Sequence, residues 1–182
     1  ALIDEIEVDA YASASIGQVH IARLRDGREV AIKIQYPHMQ KTIKSDLNNL
    51  KSLMKMLFAM FMDMDFNPVF KEVKERLLEE INYDIEADHL ERMYELHAKD
   101  PKIRIPKVVR DLSSTRVLTM EFVPGIGPDD DEFLAAPQEL RDRWGVSLLE
   151  FILKGIYRDK YLHADPNLAN FAFQEDGGII VY

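Results

Sequence analysis

Residues 19–35 have the sequence VHIARLRDGREVAIKIQ, and this stretch decides the fold. It consists of two β-rich runs, 19–24 and 30–34, separated by an Asp-Gly pair at 26–27. An Asp-Gly pair between two such runs is a strong signal for a β-hairpin, because these residues tolerate the positive φ angles of a tight turn. The sequence therefore predicts a two-stranded hairpin near the start of the chain.

The segments on either side of the hairpin predict an α+β fold with two lobes. Apolar residues at three- and four-residue spacings predict helices, and Pro- and Gly-rich segments predict breaks. The predicted helices cover 42–64, 69–96 and 137–158, and the predicted strands beyond the hairpin cover 108–109, 117–123 and the two sides of 176–178. We expect a loop over 101–106, a flexible joint over 124–132, and a division into lobes 1–123 and 124–182.

Composition limits the classes of protein to consider. The chain has 182 residues, 47% of them hydrophobic, which is ordinary for a globular protein. The formal net charge of −9 argues against broad nucleic-acid binding, because that binding depends on Lys and Arg meeting phosphates. The chain has no cysteine, which excludes disulfides and thiolate metal sites. No apolar run approaches the ~20 residues that a membrane-spanning helix needs.

The second strand of the hairpin carries the first candidate functional residue. Val30-Ala31-Ile32-Lys33 is identical to the strand motif of protein kinases, whose Lys pairs the α- and β-phosphates of the nucleotide. The hairpin follows a run of small residues, which allow backbone N–H groups to approach phosphate closely: Ala12, Ser13, Ala14, Ser15, Ile16 and Gly17. A tight loop at a sheet edge is the alternative interpretation of this run, because it contains one glycine only.

The segment 163–170, HADPNLAN, carries the second group of candidates. Asp165 and Asn170 are five residues apart, the spacing of the base Asp and the metal-binding Asn in a kinase catalytic loop. An Asp can orient a nucleophile, and an Asn carbonyl oxygen suits Mg²⁺, a cation that prefers oxygen ligands. Ordinary turn chemistry also explains Asp-Pro-Asn. The occurrence of all these motifs in kinase order favours the catalytic interpretation.

Two further segments match parts of a kinase nucleotide site. Kinases use a helix Glu to pair the strand Lys, and here Glu80 and Glu86 are the candidates. Residues 118–123 resemble the segment that links the kinase lobes and hydrogen-bonds an adenine edge through its backbone. This predicts nucleotide contacts at Glu121 and Val123.

Taken together, these motifs resemble the UbiB-type atypical kinases, also called aarF-domain-containing kinases, of coenzyme Q biosynthesis. The resemblance extends over nearly the whole chain. It is carried by the segments 12–20 (ASASIGQVH), 30–37 (VAIKIQYP), 43–50 (IKSDLNNL), 80–87 (EINYDIEA), 118–125 (LTMEFVPG) and 163–171 (HADPNLANF).

The resemblance implies a role for each of the matching residues. It implies an Ala-rich phosphate loop at 12–17, Lys33 on the nucleotide phosphates, Asp165 as the catalytic-loop Asp and Asn170 on Mg²⁺. Glu80 matches the first residue of the family's Glu-x-Asp motif, and Asn82 replaces the second. It also implies a protein-kinase-like fold truncated within the C-terminal lobe. The metal-binding Asp of an Asp-Phe-Gly segment would then follow Tyr182, and the fragment alone would be inactive.

The function implied by the resemblance is an ATP- and Mg²⁺-dependent ATPase or phosphotransferase that supports ubiquinone biosynthesis. Expected partners are coenzyme Q biosynthesis proteins and a lipid or isoprenoid quinone intermediate, with peripheral membrane contact and no nucleic acid. The expected location is mitochondrial, at the inner membrane, with a bacterial or plastid member as the alternative. Two other functions remain open: a pseudokinase scaffold that binds nucleotide or lipid without turnover, and a small-molecule phosphotransferase of the aminoglycoside or choline kinase type.

Overall fold

The structure is a computed structural model and describes residues 2–61, 67–165 and 167–182, without the side chains of residues 40, 44, 57–61 and 80. Its strands are β1 (Ile3–Ile6), β2 (Ala12–Ala14), β3 (Gly17–Leu24), β4 (Glu29–Gln35), β5 (Ile103–Arg104), β6 (Val117–Glu121), β7 (Phe171–Phe173) and β8 (Ile179–Val181). Its α-helices are α1 (Met39–Phe61), α2 (Asn67–Glu80), α3 (Tyr83–His97), α4 (Asp131–Leu134) and α5 (Gln138–Leu153). A π-helix (Lys154–Asp159) and 3₁₀ turns at Arg110–Leu112 and Leu168–Asn170 complete the elements.

The described residues form two compact units, and the chain passes between them more than once. Unit 1 contains residues 1–87 and 109–119, and unit 2 contains 88–108 and 120–182. These units differ from the predicted lobes, because residues 88–108, which include two thirds of α3, and residues 120–123 belong to unit 2. The functional division into lobes at 123/124 stays a prediction.

The predicted hairpin is confirmed and lies at the centre of unit 1. Strands β3 and β4 pair antiparallel in a sheet of order β1-β3-β4-β6, with β2 paired to β3. One face of the hairpin is buried in a small hydrophobic core formed by Ala22, Leu24, Val30 and Ile32. Because side chains alternate between the faces of a strand, the core positions fix the register of the pair.

The single helix predicted over 69–96 is wrong, because the chain forms two helices there, α2 and α3. The break lies at Asn82, whose side-chain Oδ1 accepts a hydrogen bond from the backbone N–H of Asp84 at 3.1 Å. Asn is a favoured N-cap residue, since its side chain satisfies a backbone donor that the first helical turn leaves unpaired. Helix α1 agrees with the predicted helix 42–64 up to Phe61; residues 62–64 lie outside the described residues.

Unit 2 contains a three-stranded sheet of order β5-β8-β7, against which α5 packs. Trp144 Nε1 donates to the carbonyl of Gln174 at 2.7 Å, and Ser147 Oγ donates to the carbonyl of Gly177 at 2.7 Å. Both acceptors lie in the β7–β8 turn, so α5 holds this hairpin through two buried polar side chains. The strands predicted on either side of 176–178 and the helix predicted over 137–158 are confirmed.

Two smaller predictions of secondary structure are wrong. The segment 101–106, predicted as a loop, contains β5, which pairs parallel with β8. The strand predicted at 108–109 is only an isolated bridge from Val108 to Met120, because the chain turns into a 3₁₀ helix at Arg110. Among the helices that the structure describes, none is both long enough and apolar enough to cross a membrane.

Candidate active site

Lys33 is held by an ion pair inside unit 1. Its Nζ lies 2.5 Å from Glu86 Oε1 and 4.9 Å from the ring centroid of Tyr83. The Lys33 side chain is only 21% exposed, whereas that of Glu86 is 38% exposed. The Lys33 side chain is therefore shielded from solvent more than the Glu86 side chain. The buried Tyr83 ring beside it limits the movement of the lysine. A fixed cation beside a partly exposed carboxylate is an arrangement that can receive an anionic ligand.

The start of α3 is tied to the sheet, and this positions Glu86. Buried Gln35, at the end of β4, donates from Nε2 to the Ile81 carbonyl at 2.8 Å. The Tyr83 N–H donates to the Thr115 carbonyl at 3.0 Å, and Thr115 Oγ1 donates to Asp84 Oδ2 at 2.8 Å. Sequence reasoning missed the role of Gln35. The available signal was a polar residue directly after Ile34 at the end of β4.

Of the two acids named from the sequence, the structure brings Glu86 to Lys33. The Glu80 side chain lies outside the described part of the structure, so its catalytic role stays a prediction. Asn82, the departure from the family's Glu-x-Asp motif, caps α3 through its side-chain oxygen. An aspartate could make the same hydrogen bond, because both side chains present an acceptor at this position.

The small-residue segment 12–17 forms a tight hairpin at the sheet edge. Strand β2 pairs with β3 in the register Ala12–Val19 to Ala14–Gly17, so Ser15 and Ile16 make the turn. An ideal Cβ at Gly17 would lie 2.2 Å from the Ile34 carbonyl oxygen. Glycine is therefore needed here for the close approach of two backbones. The predicted phosphate contacts of 12–17 remain a prediction.

The segment predicted to bind adenine has part of its backbone engaged within unit 2. The Glu121 N–H donates to the Lys107 carbonyl at 2.8 Å, and the Glu121 side chain accepts from Arg104 Nη2 at 2.8 Å. The Val123 carbonyl accepts from the Tyr182 hydroxyl at 3.2 Å. The predicted adenine contacts at Glu121 and Val123 remain a prediction.

Asp165 and Asn170 are in direct contact in unit 2. Asn170 Nδ2 donates to Asp165 Oδ2 at 2.8 Å and to the Asp165 carbonyl at 3.2 Å. Because the amide nitrogen faces Asp165, the amide oxygen of Asn170 points away from that carboxylate. Asn167 caps the intervening 3₁₀ turn, accepting from the Ala169 N–H at 3.1 Å. The loop therefore holds its two candidate side chains in one arrangement.

The far end of this loop is attached to Tyr182. The Tyr182 N–H donates to the Asn170 carbonyl at 2.9 Å, and His163 Nε2 lies 3.4 Å from the Tyr182 carbonyl. The His163 ring also packs against the rings of Phe151 and Phe171, with centroids 6.4 and 5.8 Å away. His163 thus connects the start of the loop to the aromatic core, a structural role that the motif alone did not specify.

The amide oxygen of Asn170 suits Mg²⁺ in its chemistry, whereas the Asp165 carboxylate accepts the Asn170 amide N–H. A carboxylate and an amide oxygen are hard oxygen donors, which Mg²⁺ prefers, and it commonly keeps waters and substrate phosphates as its other ligands. Among residues 2–61, 67–165 and 167–182, no group of three or more His, Cys, Asp or Glu side chains could hold a metal ion. Asn170 therefore fits a site completed by water and phosphate oxygens better than a closed protein cage.

Comparison with known proteins gives consistent matches. The model of the ABC1 atypical kinase-like domain family matches residues 1–182. Similar curated proteins include the mitochondrial atypical kinase COQ8B of Rattus norvegicus, 37% identical over 94% of this chain and 32% of that protein. The mitochondrial atypical kinase coq-8 of Caenorhabditis elegans is 39% identical over 88% of this chain and 21% of that protein. The chain thus spans a third or less of the length of these relatives.

A solved structure and a plastid protein extend the comparison. The complex of Rv3197 with erythromycin from Mycobacterium tuberculosis is 30% identical, with a TM-score of 0.88 over 99% of this chain and 45% of that chain. The chloroplastic protein ACTIVITY OF BC1 COMPLEX KINASE 7 of Arabidopsis thaliana is 34% identical over 98% of this chain and 26% of that protein. The predicted α+β, kinase-like fold is confirmed by these matches.

Proposed function

The chain belongs to the ABC1 atypical kinase-like domain family, and on that basis we propose that it binds ATP with Mg²⁺ and supports ATP hydrolysis or phosphoryl transfer. The observation that carries the proposal is the ion pair of Lys33 with Glu86. In kinases the equivalent strand lysine binds the α- and β-phosphates and the helix glutamate fixes it. The local geometry of unit 1 supports the same roles for these two side chains.

Lys33 would bind phosphate without losing its partner. A lysine ammonium has three donors, of which the bond to Glu86 uses one. The charge of the carboxylate keeps the ammonium oriented, and the buried Tyr83 ring restricts its stem. The remaining donors can then contact phosphate oxygens, and each such charge-assisted bond contributes about 1.5–3 kcal/mol.

The loop in unit 2 supplies the groups for chemistry. Asp165, which is exposed, would orient the attacking hydroxyl or water and accept its proton. Asn170 would hold Mg²⁺ through its amide oxygen, while its amide nitrogen keeps the bond to Asp165. When bound, Mg²⁺ supplies positive charge that neutralises the phosphate oxygens. The adenine contacts are assigned to the Glu121 carbonyl and the Val123 N–H.

The biological setting rests on the relatives. Those named COQ8B and coq-8 support a role in ubiquinone biosynthesis, and their mitochondrial labels, with one chloroplastic relative, support an organelle location. Contact with a lipid or isoprenoid quinone intermediate, with other coenzyme Q biosynthesis proteins and with the inner membrane belongs to the same proposal. A scaffold that binds nucleotide without turnover is the alternative.

Calorimetric titration of Mg-ATP tests the nucleotide site. Replacement Lys33→Met removes the ammonium and keeps an unbranched stem against Tyr83. We expect binding weaker by about 10- to 100-fold, the loss of one charge-assisted hydrogen bond. The matched control is Lys71→Met, because Lys71 is a 74% exposed helix lysine that is also paired with a glutamate, Glu75. Equal affinity of the wild type and Lys33→Met would exclude Lys33 from the site.

A further inference from the structure

Tyr161 lies four residues before Asp165 and is fixed at both its backbone and its side chain. The π-helix before it ends abruptly at Lys160, which has a left-handed φ of 53°. The Tyr161 N–H then donates to the Gly155 carbonyl at 3.0 Å. An ideal Cβ at Gly155 would lie 3.0 Å from the Tyr161 carbonyl oxygen, so the backbone passes the helix closely. The loop therefore leaves the π-helix in a defined direction.

The side chain of Tyr161 is bound by two residues of α3. Its hydroxyl is hydrogen-bonded to His89 Nδ1, and the guanidinium of Arg92 lies over its ring, 4.3 Å from the centroid. Burial raises the pKa of the Tyr161 hydroxyl, although the Arg92 charge acts in the opposite direction. The hydroxyl thus stays protonated at neutral pH and can serve as a hydrogen-bond partner for the imidazole. All three residues belong to unit 2.

We propose that Tyr161 is a positioning residue, through which His89 and Arg92 of α3 hold the loop that carries Asp165 and Asn170. Without this attachment, the start of the loop would be held by the packing of His163 against Phe151 and Phe171 and no longer by a bond to α3. A small displacement of a group that orients a nucleophile lowers the rate more than it lowers substrate affinity, because the orientation matters most in the transition state. This inference rests on the proposed function.

The first test of the proposal is a measurement that does not depend on enzymatic activity. The amide N–H groups of Asn167, Ala169 and Asn170 all donate hydrogen bonds inside the loop. The rate of hydrogen exchange at these amides therefore reports how well ordered the loop is. In Tyr161→Phe, which removes only the hydroxyl, we expect these amides to exchange roughly fivefold faster, as expected for the loss of one neutral hydrogen bond. The control is Tyr157→Phe, because Tyr157 is 72% exposed on the π-helix. Unchanged loop exchange in Tyr161→Phe would overturn the proposal.

The second arm measures ATP turnover by the full-length protein. We expect Tyr161→Phe to lower kcat about tenfold with KM for ATP within about twofold, which is the signature of lost positioning. In an Asp165→Asn background the same replacement should lower kcat by less than it does in the wild type, because part of its effect passes through Asp165. Independent, additive losses would refute the positioning role. If Tyr161→Phe does not fold, His89→Ala removes the same hydrogen bond from the helix side.

The two arms separate this inference from the proposed function. A wild-type protein without turnover would contradict the proposed function, yet the exchange measurement would still decide whether Tyr161 orders the loop. A wild-type protein with turnover, together with Tyr161→Phe that has normal kcat and normal exchange, would contradict the positioning role alone.

Discussion

Gly17 is the position at which the structure makes the sharpest prediction about stability. It begins β3 directly after the turn of the small-residue hairpin and lies opposite Gln35 of β4. An ideal Cβ there would lie 2.2 Å from the Ile34 carbonyl oxygen, 2.9 Å from its carbonyl carbon and 3.1 Å from the Gln35 Cα. All three neighbours are backbone atoms, so no side-chain rotation can relieve the overlap. Gly17→Ala must therefore push β3 and β4 apart at this point.

The cost of Gly17→Ala can be estimated from two opposing effects. Overpacking in a close-packed site costs typically about 1–3 kcal/mol, and contact with rigid backbone argues for the upper end. Replacing glycine also restricts the unfolded chain, which stabilises the fold by about 0.4–1 kcal/mol. The net loss is then about 2 kcal/mol, which corresponds to a melting temperature lower by about 4–8 °C for a chain of this size.

Thermal unfolding followed by circular dichroism measures this difference. The matched control is Gly145→Ala in the middle of α5, where no heavy atom other than those of the adjacent residues and the helix's own backbone lies within 4 Å of the added Cβ. Alanine is the better helix residue by about 1 kcal/mol, so this control should raise the melting temperature by about 2–4 °C. A Gly17→Ala protein as stable as the wild type would show that β2–β3 does not approach β4 as closely as described.

Two further predictions concern the metal and pH. Asn170→Ala removes the proposed oxygen ligand, so the Mg²⁺ concentration that half-saturates ATP binding should rise at least about tenfold. The melting temperature should stay within about 2 °C, because the side-chain hydrogen bonds that Asn170 loses are exposed to solvent. An unchanged Mg²⁺ requirement would remove Asn170 from the metal site. Burial lowers the pKa of His97, which lies 3.9 Å from Asp159. The unfolded chain therefore binds a proton more readily than the fold, and stability should fall as the pH drops below the ordinary histidine value of 6.5. Melting curves from pH 8 to 5 should show a flatter dependence for His97→Gln, and identical slopes would contradict this explanation.

Local features of the fold were predictable from sequence, whereas contacts between distant segments were not. The hairpin of β3 and β4 followed from an Asp-Gly turn between apolar runs, and the β7–β8 hairpin followed from a similar turn at Asp176-Gly177. The break between α2 and α3 had a local signal in Asn82, but the acidic and apolar pattern continues through it. The sequence pattern therefore favoured one long helix over two helices separated at a capping residue.

In the candidate site, too, the sequence identified local motifs but not the contacts between distant segments. The motif identified Lys33, Asp165 and Asn170, but it left Glu80 and Glu86 as alternative partners for the lysine. Lys33 and Glu86 are 53 residues apart, so their contact depends on the helical phase of α3 after a break that the sequence pattern did not reveal. The attachment of Tyr161 to α3 spans 72 residues and has no sequence signal that we recognise.

The proposed function requires that this domain bind Mg-ATP and use Asp165 in its chemistry. The most direct test is the release of ADP from Mg-ATP by the full-length protein, since the chain covers a third or less of the length of the relatives described above. The wild type should release ADP only with Mg²⁺, and Asp165→Asn should bind Mg-ATP with similar affinity but release ADP at least about 100-fold more slowly. A wild type that binds Mg-ATP without releasing ADP, or an Asp165→Asn protein with normal turnover, would contradict the account.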